Sequence, residues 1–278
     1  MRIGLSAAAA SETGLVRSHN EDSFYTSSRL WAVVDGMGGQ AAGDTASNIA
    51  VRCLAEAEQN SVLDQTSIAG LIERMNSEIL QYGAHNPRAA GLGATVAGVS
   101  LVTLAGLRHW LVFHVGDSRV YRLADGELTR ETVDHSEVQS MVDRGEISAD
   151  EARTHPQRNI LTRCLGSAGM AKADMRLVPY RPGDRLLICS DGLNNEIGDD
   201  QIQAIMTTAP SASAAVEDLI DAALGQGGHD NITAVVVVVD EADNDQPEPD
   251  IEDTLAHAAF MEAHSVEPHP EGEGINVR

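Results

Sequence analysis

The sequence predicts a domain of the α/β or α+β class with an antiparallel sheet component. Over the first 240 residues, short β-like apolar runs alternate with segments of helical periodicity. Several of those runs lie close enough along the chain to pair as hairpins. The 278 residues are 42% apolar and 22% charged, the composition of a folded chain with a sizeable core.

Taken in order, the first strand is the run at 30–34, LWAVV. A helix is expected at 44–58, where Ala46, Ile49, Ala50, Cys53, Leu54 and Ala57 share one face. A second is expected at 67–82, where Ile68, Leu71, Ile72, Met75, Ile79 and Leu80 do the same. Strands follow at 94–101, 110–115 and 119–123, the last two expected to pair across Gly116-Asp117-Ser118. Residues 133–170 are polar and helical without a strand pattern, and read as a flap inserted into the strand series. Within the flap, Gly145 is a helix stop and Ser148 an N-cap, with Glu151 placed to close a capping box. Strands at 185–189 and 233–239 complete a folded unit of residues 1–240. Residues 241–278 hold four of the nine prolines and 11 acids against one arginine, which is −10 of the net −23. Such a segment cannot bury enough apolar area to offset its ordering entropy, so it is expected to be a disordered acidic tail.

Charge narrows the function. Acidic residues outnumber basic ones 42 to 19, so the chain repels nucleic-acid phosphates and anionic headgroups, and neither nucleic acid nor membrane is an expected partner. No apolar run approaches the ~20 residues that span a bilayer. Lys172 is the sole lysine, which excludes a lysine-dependent phosphate loop and leaves phosphate recognition to arginine or bound metal. Cys53, Cys164 and Cys189 are odd in number and set in apolar surroundings, as expected of buried free thiols in a reducing compartment. With no room for a cleaved leader ahead of the first motif, a cytoplasmic protein is expected.

Four aspartates fall at the ends of apolar runs: Asp35 after LWAVV, Asp117 after WLVFHVG, Asp191 after RLLICS, and Asp230 ahead of NITAVVVVV. Glycine adjoins three of them, in Asp35-Gly36, Gly116-Asp117 and Asp191-Gly192. Turn chemistry explains any one such pair; it does not explain four carboxylates carried on strand ends, where rigid backbone positions a site. Ionised carboxylates that converge repel one another unless a cation joins them. An oxygen-only set without a His or Cys cluster favours Mg2+ or Mn2+ over Zn2+. The glycine-rich turn Gly36-x-Gly38-x-x-Ala41 mimics a dinucleotide fingerprint, but Asp35 would press a negative charge on the pyrophosphate and Glu56 falls inside a helix.

Six motifs occur in one order: Arg17-Ser18-His19-Asn20-Glu21-Asp22, Val34-Asp35-Gly36-Met37-Gly38-Gly39, Gly93-Ala94-Thr95, Val115-Gly116-Asp117-Ser118-Arg119, Ser190-Asp191-Gly192-Leu193 and Gly228-His229-Asp230-Asn231-Ile232-Thr233. Asp134-His135-Ser136 and His155-Pro156-Gln157-Arg158-Asn159 mark the flap. Together they resemble the metal-dependent protein Ser/Thr phosphatases of type 2C, the PPM family, in their short bacterial form, over about residues 11–239. The resemblance implies an α+β fold, a four-layer α-β-β-α sandwich of two antiparallel sheets flanked by helices. It implies two or three Mn2+ or Mg2+ ions. Asp35 matches the ligand bridging two metals and the Gly36 carbonyl a ligand of the second; Asp191 and Asp230 match ligands of the first. Asp117 with Asp191 matches a third-metal site. Asp22, and more weakly Glu21, match acids that hold the second metal's waters, with Asn231 supporting them. Arg17 matches the arginine that grips substrate phosphate, so Arg17, Asp35 and Asp191 are the expected catalytic residues. The implied partners are phosphorylated proteins, including a Ser/Thr kinase and its substrates, met by a monomer.

Physical chemistry asks for such a centre. Phosphate-monoester hydrolysis needs acceleration approaching ~10²¹, whereas one general acid or base supplies ~10²–10⁴. Two metals about 3.5–4 Å apart can generate a bridging hydroxide and align in-line attack. Many eukaryotic relatives carry histidine after the Asp-Gly, and this chain has Met37. A metal-bound water is therefore the expected proton donor to the leaving group, with His135 and His155 expected to order the flap.

Overall fold

Strand alternation and hairpin turns build most of the architecture. A computed structural model describes residues 4–38, 42–60, 63–169 and 171–240; the segment 241–278, expected to be a tail, lies outside the described residues. The chain runs β1 (Leu5–Glu12), β2 (Asp22–Thr26), β3 (Leu30–Met37), α1 (Ala42–Asn60), α2 (Gln65–His85), β4 (Gly93–Ala94), β5 (Val96–Leu104), β6 (Leu107–Val115), β7 (Arg119–Ala124) and β8 (Glu127–Arg130). The flap helices α3 (Glu137–Asp143) and α4 (Ala149–Thr154) follow. Then come β9 (Asp174–Pro179), β10 (Arg185–Cys189), α5 (Asp191–Asn194), α6 (Asp199–Thr208), α7 (Ala212–Gln226) and β11 (Ile232–Val239).

The strands form two antiparallel sheets, in the orders β1-β11-β10-β7-β8 and β2-β3-β5-β6-β9, with β4 paired to β3. Period-2 alternation divides their side chains among three cores. Trp31 and Val33 of β3 meet Ile188 of β10 and Val235 and Val237 of β11 between the sheets. Leu30, Ala32 and Val34 face the other way, onto Ile49 and Leu54 of α1 and Ile72 and Met75 of α2. On the second sheet, Leu187, Cys189, Ala234 and Val236 pack against Ile202 of α6 and Leu219 of α7. Four layers result, α-β-β-α.

All six expected strands form, as β3, β5, β6, β7, β10 and β11, and both expected helices extend past their expected ends. Leu80 departs from its assigned face: one step beyond the buried Ile79, it is 37% exposed. In the flap, α3 stops just before Gly145, which takes φ +70, and Ser148 and Glu151 form the expected capping box.

The expected hairpin of 110–115 with 119–123 does not form. β6 pairs with β5 and β9, and β7 pairs with β10 and β8. Tight two-residue turns at Ala105-Gly106 and Asp125-Gly126, with positive φ at all four residues, satisfy each strand locally. The connection Gly116-Asp117-Ser118 instead carries the chain from one sheet to the other. Strands β1, β2, β8 and β9 and helices α6 and α7 were not expected. Among the described residues, no helix is long and apolar enough to cross a membrane.

Candidate metal centre and active site

In antiparallel sheets, chain ends of opposite sense lie side by side on one edge, and this edge collects the acids. β3 nears its end at Asp35 and Gly36, while its neighbour β2 begins at Asp22, the register partner of Asp35. β10 ends at Cys189, two residues before Asp191, the first residue of α5, and β11 begins two residues after Asp230. Asp117 sits in the crossing that follows β6. The five carboxylates converge: Asp35 is within the electrostatic reach of Asp22, Asp191, Asp117 and Asp230.

Convergence has an electrostatic cost. Burial, then repulsion from the other four, pushes the Asp35 carboxyl well above the ordinary range. Burial followed by Asp191 does the same to Asp117. Burial, with Asp230 next, raises Asp191 to about 6. Asp22 rises to about 7 by burial first, with Asp191 and Asp230 adding, although its Oδ2 accepts hydrogen bonds from Ser190 Oγ and Thr233 Oγ1, both at 2.7 Å. Its other oxygen, Oδ1, is buried without a hydrogen-bond partner. A buried carboxylate oxygen left bare among repelling acids is a site short of positive charge.

The residues present fit divalent cations. Five carboxylates and a main-chain carbonyl are hard oxygen donors of the kind Mg2+ and Mn2+ take. Gly36 is required sterically. A Cβ there would stand 2.1 Å from the Gly43 carbonyl oxygen and 2.5 Å from that of Glu21, so only glycine lets these three main-chain segments approach. Asp35, Gly36, Asp191 and Asp230, with Asp22 and Asp117 beside them, are the residues that would hold cations.

Arg17, Glu21 and Asn231 lie at the same edge in different roles. Arg17 Nη2 donates to Asp230 Oδ2 at 2.7 Å, and its side chain is 52% exposed, so the guanidinium stands at the mouth of the site. Glu21 Oε1 accepts from Gly43 N–H at 3.1 Å, in the first turn of α1. Asn231 anchors the segment ahead of β2: its Oδ1 accepts from Glu21 N–H, and its Nδ2 donates to the carbonyls of Thr13 and His19, each at 2.9 Å. Ser190 and Thr233, which orient Asp22, were not assigned from sequence. Their adjacency to Asp191 and their place in the motif after Asp230 were the available signal.

A cleft of about 410 Å3 runs from Asp117 and Asp191 to the flap, with Arg153 and Arg158 on its wall. His135 is buried at the flap root and His155 caps α4, accepting Gln157 N–H on Nδ1 at 3.2 Å. Both lie in the flap, where they were expected. The three cysteines are free; Cys53 and Cys189 are buried, while Cys164 is half-buried, less enclosed than expected.

The sequence profile described as Protein phosphatase 2C matches residues 16–226. The chain belongs to the protein phosphatase 2C family. It is 40% identical over 249 residues to the serine/threonine protein phosphatase PstP of Mycobacterium tuberculosis, an alignment covering 87% of this chain and 46% of PstP. The chain thus spans about half the length of that phosphatase 2C relative. It is 35% identical over 237 residues to the serine/threonine phosphatase Stp of Listeria monocytogenes, covering 81% of this chain and 92% of Stp. Among solved phosphatase 2C structures, the PstP catalytic domain in complex with two manganese ions superposes with a TM-score of 0.76 at 37% identity, covering 85% of this chain and 99% of that one.

Proposed function

We propose that this chain hydrolyses phosphoserine and phosphothreonine in proteins, using Mn2+ or Mg2+, and opposes a bacterial Ser/Thr kinase in the cytoplasm as a monomer. The observation that carries the reading is the cluster of Asp22, Asp35, Asp117, Asp191 and Asp230, with Asp22 Oδ1 buried and bare. Membership of the phosphatase 2C family, and the manganese held by the PstP domain, support it.

In this reading Asp35, the Gly36 carbonyl, Asp191 and Asp230 would hold the catalytic cations, and Asp117 with Asp191 would hold a further one. When bound, the cations supply acidified water and a positive field for the phosphoryl oxygens. The chain does the rest. Ser190 and Thr233 fix Asp22, Asn231 holds the Glu21 segment against the site, and the exposed Arg17 guanidinium, parked on Asp230, would turn to grip the substrate phosphate. Met37 offers no proton and His135 is engaged in the flap root, so water in the cleft protonates the leaving alkoxide. Residues 1–240 form the catalytic unit, with the flap at 133–170, and residues 241–278 are an acidic tail.

The test is turnover of a phosphothreonine peptide by metal-stripped protein. Activity is expected to be absent in EDTA, restored by Mn2+, and lost in Asp35→Asn with the fold unchanged. Undiminished hydrolysis in EDTA would overturn the reading.

A further inference from the structure

The crossing that carries Asp117 is gripped on both sides by the root of the flap. His135 N–H donates to the Gly116 carbonyl at 2.9 Å, and Gly116 N–H donates to His135 Nδ1 at 3.1 Å. Next to it, Asp134 takes Arg119 in a fork, with Nε at 2.9 Å from Oδ1 and Nη2 at 2.6 Å from Oδ2. Consecutive flap residues therefore hold the main chain just before Asp117 and the side chain two residues after it.

Gly116 needs this support. β6 has ended, so its N–H has no ladder partner, and a buried amide must find one elsewhere. It takes φ +110, and a Cβ there would sit 2.5 Å from Thr95 side-chain atoms, so position 116 cannot be anchored by a side chain of its own. The imidazole that meets it is immobilised. His135 stacks on His114 with ring centroids 4.4 Å apart and planes 19° from parallel, and His114 Nε2 donates to the Val133 carbonyl at 2.7 Å. With Nδ1 accepting from Gly116, the proton of neutral His135 resides on Nε2, which faces Asp174 Oδ2 at 3.2 Å. Arg163 Nη1 holds the other Asp174 oxygen at 2.5 Å.

His114, His135 and Asp174 have the residue types of a metal site. The contacts they already make oppose one: His135 Nδ1 is taken by Gly116 N–H, His114 Nε2 by the Val133 carbonyl, and Asp174 is paired with Arg163. The cluster is a brace.

We propose that His135 is a positioning residue, fixing the main chain at Gly116 so that the Asp117 carboxylate faces Asp191 and sets the affinity of the cation those two share. This rests on the reading of Asp117 and Asp191 as the third cation site. The test counts Mn2+ bound to metal-stripped full-length protein by the electron paramagnetic resonance signal of the free ion. Variants showing the wild-type circular dichroism spectrum are compared. Asp117→Asn is expected to lose the weakest ion. His135→Gln, whose amide oxygen lies one bond too far along the side chain to replace Nδ1, is expected to bind that ion about 10–100-fold more weakly and the others unchanged. His135→Asn places an acceptor oxygen at the same bond distance as Nδ1 and is expected to keep it. Loss in Asp117→Asn with wild-type affinity in His135→Gln overturns the positioning role, as does an equal loss in His135→Asn. No loss in Asp117→Asn overturns the cation site itself. Should His135→Gln not fold, His135→Asn decides: retention of the weakest ion supports the role and its loss overturns it.

Discussion

Asp22 is held by two hydroxyls on one oxygen and by nothing on the other, which makes its titration a probe of the centre. Its pKa in the folded protein, about 7, lies above the ordinary 3.8. Without cations the folded chain retains a proton that the unfolded chain releases. The contribution of this group is therefore full below about pH 4 and is lost as pH rises through about 7. Denaturant unfolding of metal-stripped protein should show Asp22→Asn gaining on the wild type between pH 5 and pH 8; a difference flat in pH would contradict the assignment. Arg17 makes a second prediction. Losing one charge-assisted hydrogen bond of about 1.5–3 kcal/mol to the phosphate should lower kcat/KM about 10–100-fold in Arg17→Ala. The loss should appear mainly in KM, because the bond is shared by ground and transition states; a defect confined to kcat would contradict that role. Most of these acids were legible in sequence, because turn chemistry explains one Asp-Gly pair but not four carboxylates recurring at the ends of apolar runs. Ser190 and Thr233 lie in motifs that were legible, but their pairing with Asp22 was not, because hydroxyls 168 and 211 residues away give no local sign of which carboxylate they meet.

At the scale of elements, the helices carry the site by pressing the sheets into register. Leu219 of α7 is fully buried against Leu187, Ala234 and Val236. Leu219→Ala should cost about 2–5 kcal/mol in chemical denaturation, from lost transfer energy and the cavity left behind. A cost under 1 kcal/mol would show that α7 does not support β10 and β11. Helix α7 was in fact readable, since Ala215, Val216, Leu219, Ile220 and Ala223 recur at helical spacing. Strand β8 was signalled by Asp125-Gly126, a strong hairpin dipeptide. Strand β1 was not readable: Leu5–Glu12 is alanine-rich, a helical preference, and pairing along its whole length with β11 overrides it. The failed hairpin at 116–118 has the same origin, since a short linker does not reveal which sheet its second strand joins.

Across the whole molecule, a chain of net charge −23 is proposed to act on an anion, and the five converged aspartates deepen that conflict. Two or three divalent cations at the sheet edge would resolve it, reversing the local field where the phosphate must enter while the rest of the surface stays acidic. Sequence order supplied the acids; only the sandwich, by bringing strand ends from both sheets to one edge, makes them a single centre. Calorimetric titration of metal-free protein with Mn2+ tests this claim most directly. At least two ions should bind the wild type, and Asp35→Asn should lose binding because this one carboxylate is proposed to serve both sites. An Asp35→Asn protein that takes up the same number of ions with the same affinities would contradict it.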